Sequence, residues 1–212
     1  MIITWRGVSF FEILIKTPDK EKFVLEISPF DKNTGLKVPK IKSDILIVSN
    51  STKTFLKTPD TFLIENPGEY GLKSVFIKGI PSSNNNVIYK IEAEGIRICH
   101  LGDFKQKELS SQEVEEIGEI DILMLPVGGN EIIDAKTAAS IVSQIEPRIV
   151  IPMYYKIPGL KMKLDDVDAF LKLMGVEKIE PQEKLKLSVK NLPREETEIV
   201  VLKPQSREQK ND

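Results

Sequence analysis

The residues best placed to do chemistry lie between Gly95 and Gly129. A β-branched run, Ile96-Arg-Ile-Cys-His100, stops in Leu-Gly-Asp103, and a second run, Ile122-Leu-Met-Leu125, stops at Pro126 before Val-Gly128-Gly129. Glycine before the acid permits a sharp turn, so Asp103 is expected to leave its strand end facing a cleft. Buried strands that end in an acid and a Gly-Gly loop form the kind of sheet edge where α/β proteins hold ligands. His100 is the only histidine. It is a candidate base, although a histidine hydrogen-bonded to a neighbouring strand or loop is the plainer reading. The Asp103 carboxylate reads as an acceptor of backbone N–H groups, with a catalytic role as the alternative. Cys99, inside an apolar strand and without a companion cysteine, reads as buried and inert. Gly128-Gly129 admits close approach of a phosphate but has no helix N-terminus directly behind it. Tyr154-Tyr155 carries aromatic volume at a loop, suited to filling a cleft and, as the second choice, to anchoring a partner. Lysines in 32–42 and 156–163 read as solvated loops.

Elements must bring these residues together. The N-terminal third reads as antiparallel β-structure, with strands at 2–4, 10–15 and 23–27 and a turn at Thr17-Pro-Asp-Lys20. Residues 31–42 read as an exposed loop, 45–48 as a fully apolar strand and 61–64 as a strand ended by Asn66-Pro-Gly68. An extended pattern fills 69–94, broken by the polar turn Ser82-Ser-Asn-Asn-Asn86. Helices follow only afterwards. Ser110 and Glu113 have capping-box spacing before 114–117. Asp134 N-caps an apolar stripe over 134–145 that Pro147 stops, and 165–174 is amphipathic with Gly175 as its C-cap. Strands are expected at 149–151, 185–189 and 199–202. A β-rich half followed by strands alternating with helices implies layered α/β packing in one domain, 1–203, with 204–212 a disordered tail.

Composition excludes several classes. A formal net charge of −2 gives no pull toward nucleic acid or anionic membrane. One cysteine offers no internal disulfide, and no apolar run approaches the roughly 20 residues of a membrane span. The opening residues lack the basic start and long apolar core of a signal peptide. A cytoplasmic protein with no nucleic-acid or membrane partner is expected.

These residues together resemble the metallo-β-lactamase superfamily, in the branch of bacterial metal-dependent hydrolases related to ascorbate-6-phosphate lactonase. The resemblance covers roughly residues 1–180. It rests on Ile3-Thr-Trp-Arg-Gly7, Asp44-Ile-Leu-Ile-Val-Ser49, Pro67-Gly-Glu-Tyr70 and Ile88-Tyr-Lys-Ile-Glu-Ala-Glu-Gly-Ile96. It continues through His100-Leu-Gly-Asp103, Ile120-Asp-Ile-Leu-Met-Leu-Pro-Val-Gly-Gly129 and Glu146-Pro-Arg-Ile-Val-Ile-Pro-Met153. It implies a four-layer αβ/βα sandwich with a metal site between the sheet edges. The family's His-x-His-x-Asp-His positions correspond here to Asn50, Thr52, Thr54 and Phe55, its histidine after the first glycine to Val8, and its Asp-Pro to Ser28-Pro29. The histidine of its Pro-Met-His is Tyr154, and the ligand histidine expected near 82–86 is absent. Asp103, the metal-bridging acid, is kept. Beside it stands His100.

Zinc sites need about three to four nitrogen, sulfur or carboxylate donors per ion. On that ground the resemblance points to a non-catalytic binding or assembly subunit, a pseudoenzyme without cofactor. It is expected to be oligomeric, with itself or with a related subunit. The alternative is a hydrolase of a phosphorylated or lactone-like small molecule with an unusual mononuclear metal site. A nucleic-acid processing role, the third reading, finds no support in the net charge.

Overall fold

The computed structural model describes residues 1–38, 40–50 and 59–205. The first sheet contains β1 (Ile2–Gly7), β2 (Phe10–Lys16), β3 (Lys22–Ile27), β4 (Ile45–Ile47), β5 (Phe62–Ile64) and β12 (Leu185–Lys186), in the order β12-β1-β2-β3-β4-β5. The second contains β6 (Gly68–Leu72), β7 (Val75–Pro81), β8 (Val87–Ala93), β9 (Ile96–His100), β10 (Ile122–Pro126), β11 (Ile149–Met153) and β13 (Glu198–Ile199), in the order β13-β11-β10-β9-β8-β7-β6. This is the mixed α/β, two-sheet architecture that the resemblance implies.

The side-chain pattern explains why the sheets face each other. In β1, Ile3 and Trp5 are buried while Ile2, Thr4 and Arg6 are half-buried, the period of two that a one-sided strand requires. The register carries that inner face across the sheet through Phe11, Ile13, Leu25 and Ile27. The facing sheet answers with Ile77, Tyr89, Ile91 and Ile98, all buried. By contrast β10 and β11 are buried at every position, because parallel strands covered on both faces have no solvent side.

Among the described residues, α1 (Ser111–Ile117) packs on β7, α2 (Ala135–Ile145) on β10 and α3 (Asp168–Leu173) on α2, so the helical cover belongs to the second sheet. The Ser110 hydroxyl accepts from the Glu113 N–H while the Glu113 carboxylate takes the Ser110 N–H, a reciprocal cap. Asp134 accepts from the Thr137 N–H at 2.8 Å and starts α2. The helix expected from 165 begins at Asp168 instead. The Asp165 N–H donates to the Gly128 carbonyl at 2.7 Å and its own carbonyl accepts from Lys156, so its backbone is committed to the loop. The strand expected over 185–189 is the two-residue β12, since Ser188 and Asn191 close a 3₁₀ turn there.

Both ends of the described chain meet at β1. Ile3 pairs with Leu185. Gln205 donates its N–H to the Trp5 carbonyl at 2.8 Å, so residues 204 and 205 of the expected tail run beside this strand, and the remainder lies outside the described residues.

The helix caps give a direct test. Ser110→Ala and Asp134→Ala are each expected to lower unfolding free energy by about 1 kcal/mol, read as a shifted urea midpoint with an unchanged m-value. A midpoint that does not move would show that these caps contribute nothing.

Candidate functional site at the parallel strand ends

Parallel pairing of β9, β10 and β11, and of β3 and β4, sends several loops to one edge of the sandwich. From the first sheet come the β1–β2 turn at Val8-Ser9, Ser28 after β3, and Ser49-Asn50 after β4. From the second come Leu101-Gly102-Asp103, Val127-Gly128-Gly129 and Tyr154-Tyr155.

His100 joins the two sets. It is fully buried, its Nε2 donates to the Ser9 carbonyl at 2.9 Å, and its Nδ1 accepts from the Gly102 N–H at 3.0 Å. Those partners define the neutral Nε2–H tautomer. Its ring meets Phe11 edge-on, centroids 5.9 Å apart. Both nitrogens are committed to backbone groups, which leaves His100 no free lone pair for a metal or a proton transfer.

Asp103 sits 8% exposed at the base of the edge, with the Ser9 hydroxyl 3.5 Å from its Oδ1. Asn86 holds the loop that carries it, donating to the Leu101 carbonyl at 2.8 Å and accepting from the Asp103 N–H at 2.9 Å. Gly102 is the hinge between them. Its φ is +66°, and an added Cβ would overlap Asn86 Oδ1 and stand 2.7 Å from Ser49 Cβ. The Ser28 and Ser49 hydroxyls share a 2.5 Å hydrogen bond beneath this loop.

Tyr154 is buried and donates its N–H to the Val8 carbonyl at 3.0 Å, which draws two positions of the implied ligand set together. Burial first, and then the carboxylates of Asp103, Glu131 and Asp31, push its phenol well above the usual tyrosine range. The Tyr155 hydroxyl bonds the Leu202 carbonyl at 3.3 Å and its ring lies 4.9 Å from Trp5, so both tyrosines face inward. Gly128-Gly129 is not a phosphate cradle. A Cβ on Gly128 would stand 3.0 Å from Tyr155 Cα, and Gly129 lies against the Asp165 carboxylate, which repels an anion.

The structure thus brings Val8, His100, Asp103 and Tyr154 to one edge through Ser9, with Asn50 following Ser49 into it. Thr52, Thr54 and Phe55 lie outside the described residues. Sequence reasoning missed the roles of Ser9, Ser49 and Asn86. The signal for Asn86 was its place as the last polar residue before an apolar strand.

Facing sheets with an acid-bearing loop at their parallel strand ends define the metallo-β-lactamase architecture. Residues 2–154 match the family model described as a beta-lactamase superfamily domain, and the chain belongs to that superfamily. A crystal structure from Thermotoga maritima, described as a Zn-dependent hydrolase of the metallo-β-lactamase superfamily, is 34% identical with a TM-score of 0.79, covering 95% of this chain and 98% of that one. Igni18, a metallo hydrolase from Ignicoccus hospitalis, shares the fold at 18% identity and a TM-score of 0.60, over 87% of this chain and 97% of its own. Among curated relatives, a UPF0173 metal-dependent hydrolase of Thermococcus onnurineus is 39% identical over 98 residues, 44% of this chain and 41% of that protein. One from Pyrococcus abyssi is 34% identical over 140 residues, 58% of this chain and 60% of that protein. The chain therefore matches about half the length of these two curated relatives.

These relatives overturn the expectation of a non-catalytic, non-enzymatic subunit, because they are named as hydrolases. That expectation rested on ligand positions compared one by one, with Asp103 alone counted as kept, rather than on the chain's relatives.

Two measurements follow. Tyr89, Tyr154 and Tyr155 are all held above the ordinary tyrosine range by burial. Groups raised in the folded state stabilise it fully below the unfolded value near 10 and lose that contribution as pH rises. Their phenolate absorbance is therefore expected only together with loss of tertiary circular dichroism above about pH 10; ionisation of all tyrosines in an intact fold would contradict their burial. Gly102→Ala is expected to cost about 2–4 kcal/mol, and a stability within error of wild type would remove the tight hinge from the account.

Proposed function

We propose that the chain is a hydrolase acting on a phosphorylated or lactone-like small molecule at this edge. The observation that carries it is the Asp103 carboxylate, on a backbone loop held by Asn86 and Gly102 at the end of β9 in a chain related to named hydrolases.

The superfamily implies bound metal, and the donor set can be tested against it. A dinuclear zinc centre needs several imidazole and carboxylate ligands. The chain has one histidine, and both of its ring nitrogens face backbone partners. No group of three or more His, Cys, Asp or Glu converges among the described residues. Their donor set does not fit such a centre.

Hydrolysis at this edge falls to groups that can be named. Asp103 is the acceptor able to take a proton from water attacking a carbonyl or phosphoryl centre. Tyr154, kept protonated by burial, is the neutral donor for the oxygen on which charge develops. The acids around Tyr154 disfavour a dianion and favour the lactone end of the substrate class.

The test is a panel of chromogenic lactones and aryl phosphates, assayed with and without chelator. Turnover of at least one is expected, unaffected by chelator, with Asp103→Asn at least about 100-fold slower and still folded. Absence of turnover across the panel, or an Asp103→Asn protein as active as wild type, would overturn the assignment. Loss of activity on chelation would transfer the chemistry to a metal.

A further inference from the structure

The open edge of the second sheet is built to pair with itself. The described sheets end in β12 and β13, of two residues each, in β5, of three, and in β6, of five. Short edges resist pairing, and β6 is the exception. It is joined to β7 by the two-residue turn Lys73-Ser74, both residues left-handed at φ 47° and 66°. Such a turn closes on a hydrogen-bonded pair, here Leu72 with Val75. Counting back along the register, Tyr70 and Gly68 also bond inward to β7. Glu69 and Gly71 therefore aim their N–H and C=O groups outward, and no partner is found for these groups among the described residues.

Two large apolar side chains stand exposed at this edge among the charged Glu69, Lys78, Lys90 and Glu92. Phe76 is 64% exposed and lies over Gly71, whose added Cβ would sit 3.8 Å from the ring. Leu72 on the same hairpin is also exposed. The hairpin is braced, with the Lys73 ammonium 5.8 Å from the centre of the Phe23 ring and the Tyr70 hydroxyl bonded to the Asn66 carbonyl at 2.9 Å. A braced edge loses little freedom on docking.

We propose that β6 pairs antiparallel with β6 of a second copy about a two-fold axis through Tyr70, making one continuous sheet of the two second sheets. In that register Glu69 exchanges both backbone hydrogen bonds with Gly71 of the second copy, and the axis repeats the exchange. Every outward backbone group of the strand interior is satisfied. Tyr70 faces its own symmetry mate, Leu72 comes opposite Gly68 of the second copy, and Phe76 reaches over Gly71 to the stem of Glu69 from that copy. The alternative symmetric registers are worse. One sets Glu69 directly against Glu69, and the other pairs only Gly71 with Gly71. Pro67 and the hairpin turn end the ladder on either side.

Sedimentation velocity from ~5 to ~300 μM reads the outcome. Wild type is expected to pass from monomer to dimer over that range. Gly71→Pro removes an outward N–H and leaves the β6–β7 ladder intact. It is expected to weaken the dimer at least about tenfold at unchanged melting temperature. Should that variant fail to fold, cross-linking decides independently. Tyr70→Cys is expected to oxidise to a disulfide dimer, since directly opposed residues of a non-hydrogen-bonded pair meet disulfide geometry. Phe76→Cys is not, because it lies about 15 Å from its mate by strand spacing. The native Cys99 does not interfere, being buried with its thiol pushed up to about 12. Wild type that stays monomeric, a Gly71→Pro dimer of unchanged affinity, or equal cross-linking at both positions each overturns the proposal.

Discussion

The contact on which the rest depends is the His100 imidazole clasped between Ser9 and Gly102. It is a fully buried polar link between the sheets, and it reaches from the last residue of β9 to the first hairpin of the opposite sheet. A hydrophobic interface between two sheets resists separation but tolerates sliding. A ring with one donor and one acceptor, each facing a backbone group, accepts only one alignment, because any shift leaves buried partners unsatisfied at a cost of roughly 1–3 kcal/mol each. The edge loops inherit their mutual positions from that alignment.

Those loops hold conformations that a sheet would not choose. Val8, Ser28 and Tyr154 are left-handed at φ 55°, 52° and 57°, and the first is β-branched. Each such residue costs on the order of 1–3 kcal/mol and persists only where the surroundings over-determine it. These three lie in loops at the edge that carries Asp103, whereas Lys20, Lys73, Ser74 and Glu94 adopt the same region in turns elsewhere. The backbone of the site is thus strictly specified, within a stretch that matches the superfamily's model through residue 154.

Much of the fold was legible from periodicity. Ile3 and Trp5 against Thr4 and Arg6, the apolar β10, and the caps Ser110 and Asp134 are local signals whose structural consequences are also local. What could not be read depended on partners far along the chain. Asp165 has the chemistry of an N-cap, but its backbone is taken by Gly128 and Lys156. The strand β6, Gly-Glu-Tyr-Gly-Leu, falls, Gly68 apart, within the extended stretch expected over 69–94, but its place at the sheet edge is set only by its pairing with β7. At the site, sequence spacing located Asp103, whereas the supports of its loop, Asn86 and Ser9, lie 17 and 94 residues away.

The pairing of β1 with β12 has a consequence for how the chain folds during synthesis. Ile2 and Ile3 are made about 180 residues before their outer neighbour, residues 185–186. At about 5–20 residues per second, the flank of β1 stays bare for about ten seconds or more while the intervening strands assemble. Through that interval the nascent first sheet displays an unpaired edge beside Trp5 and Phe11. Contacts of such long sequence separation also slow the final closure. The outer edge of the first sheet is therefore completed only when residues 185–186 arrive.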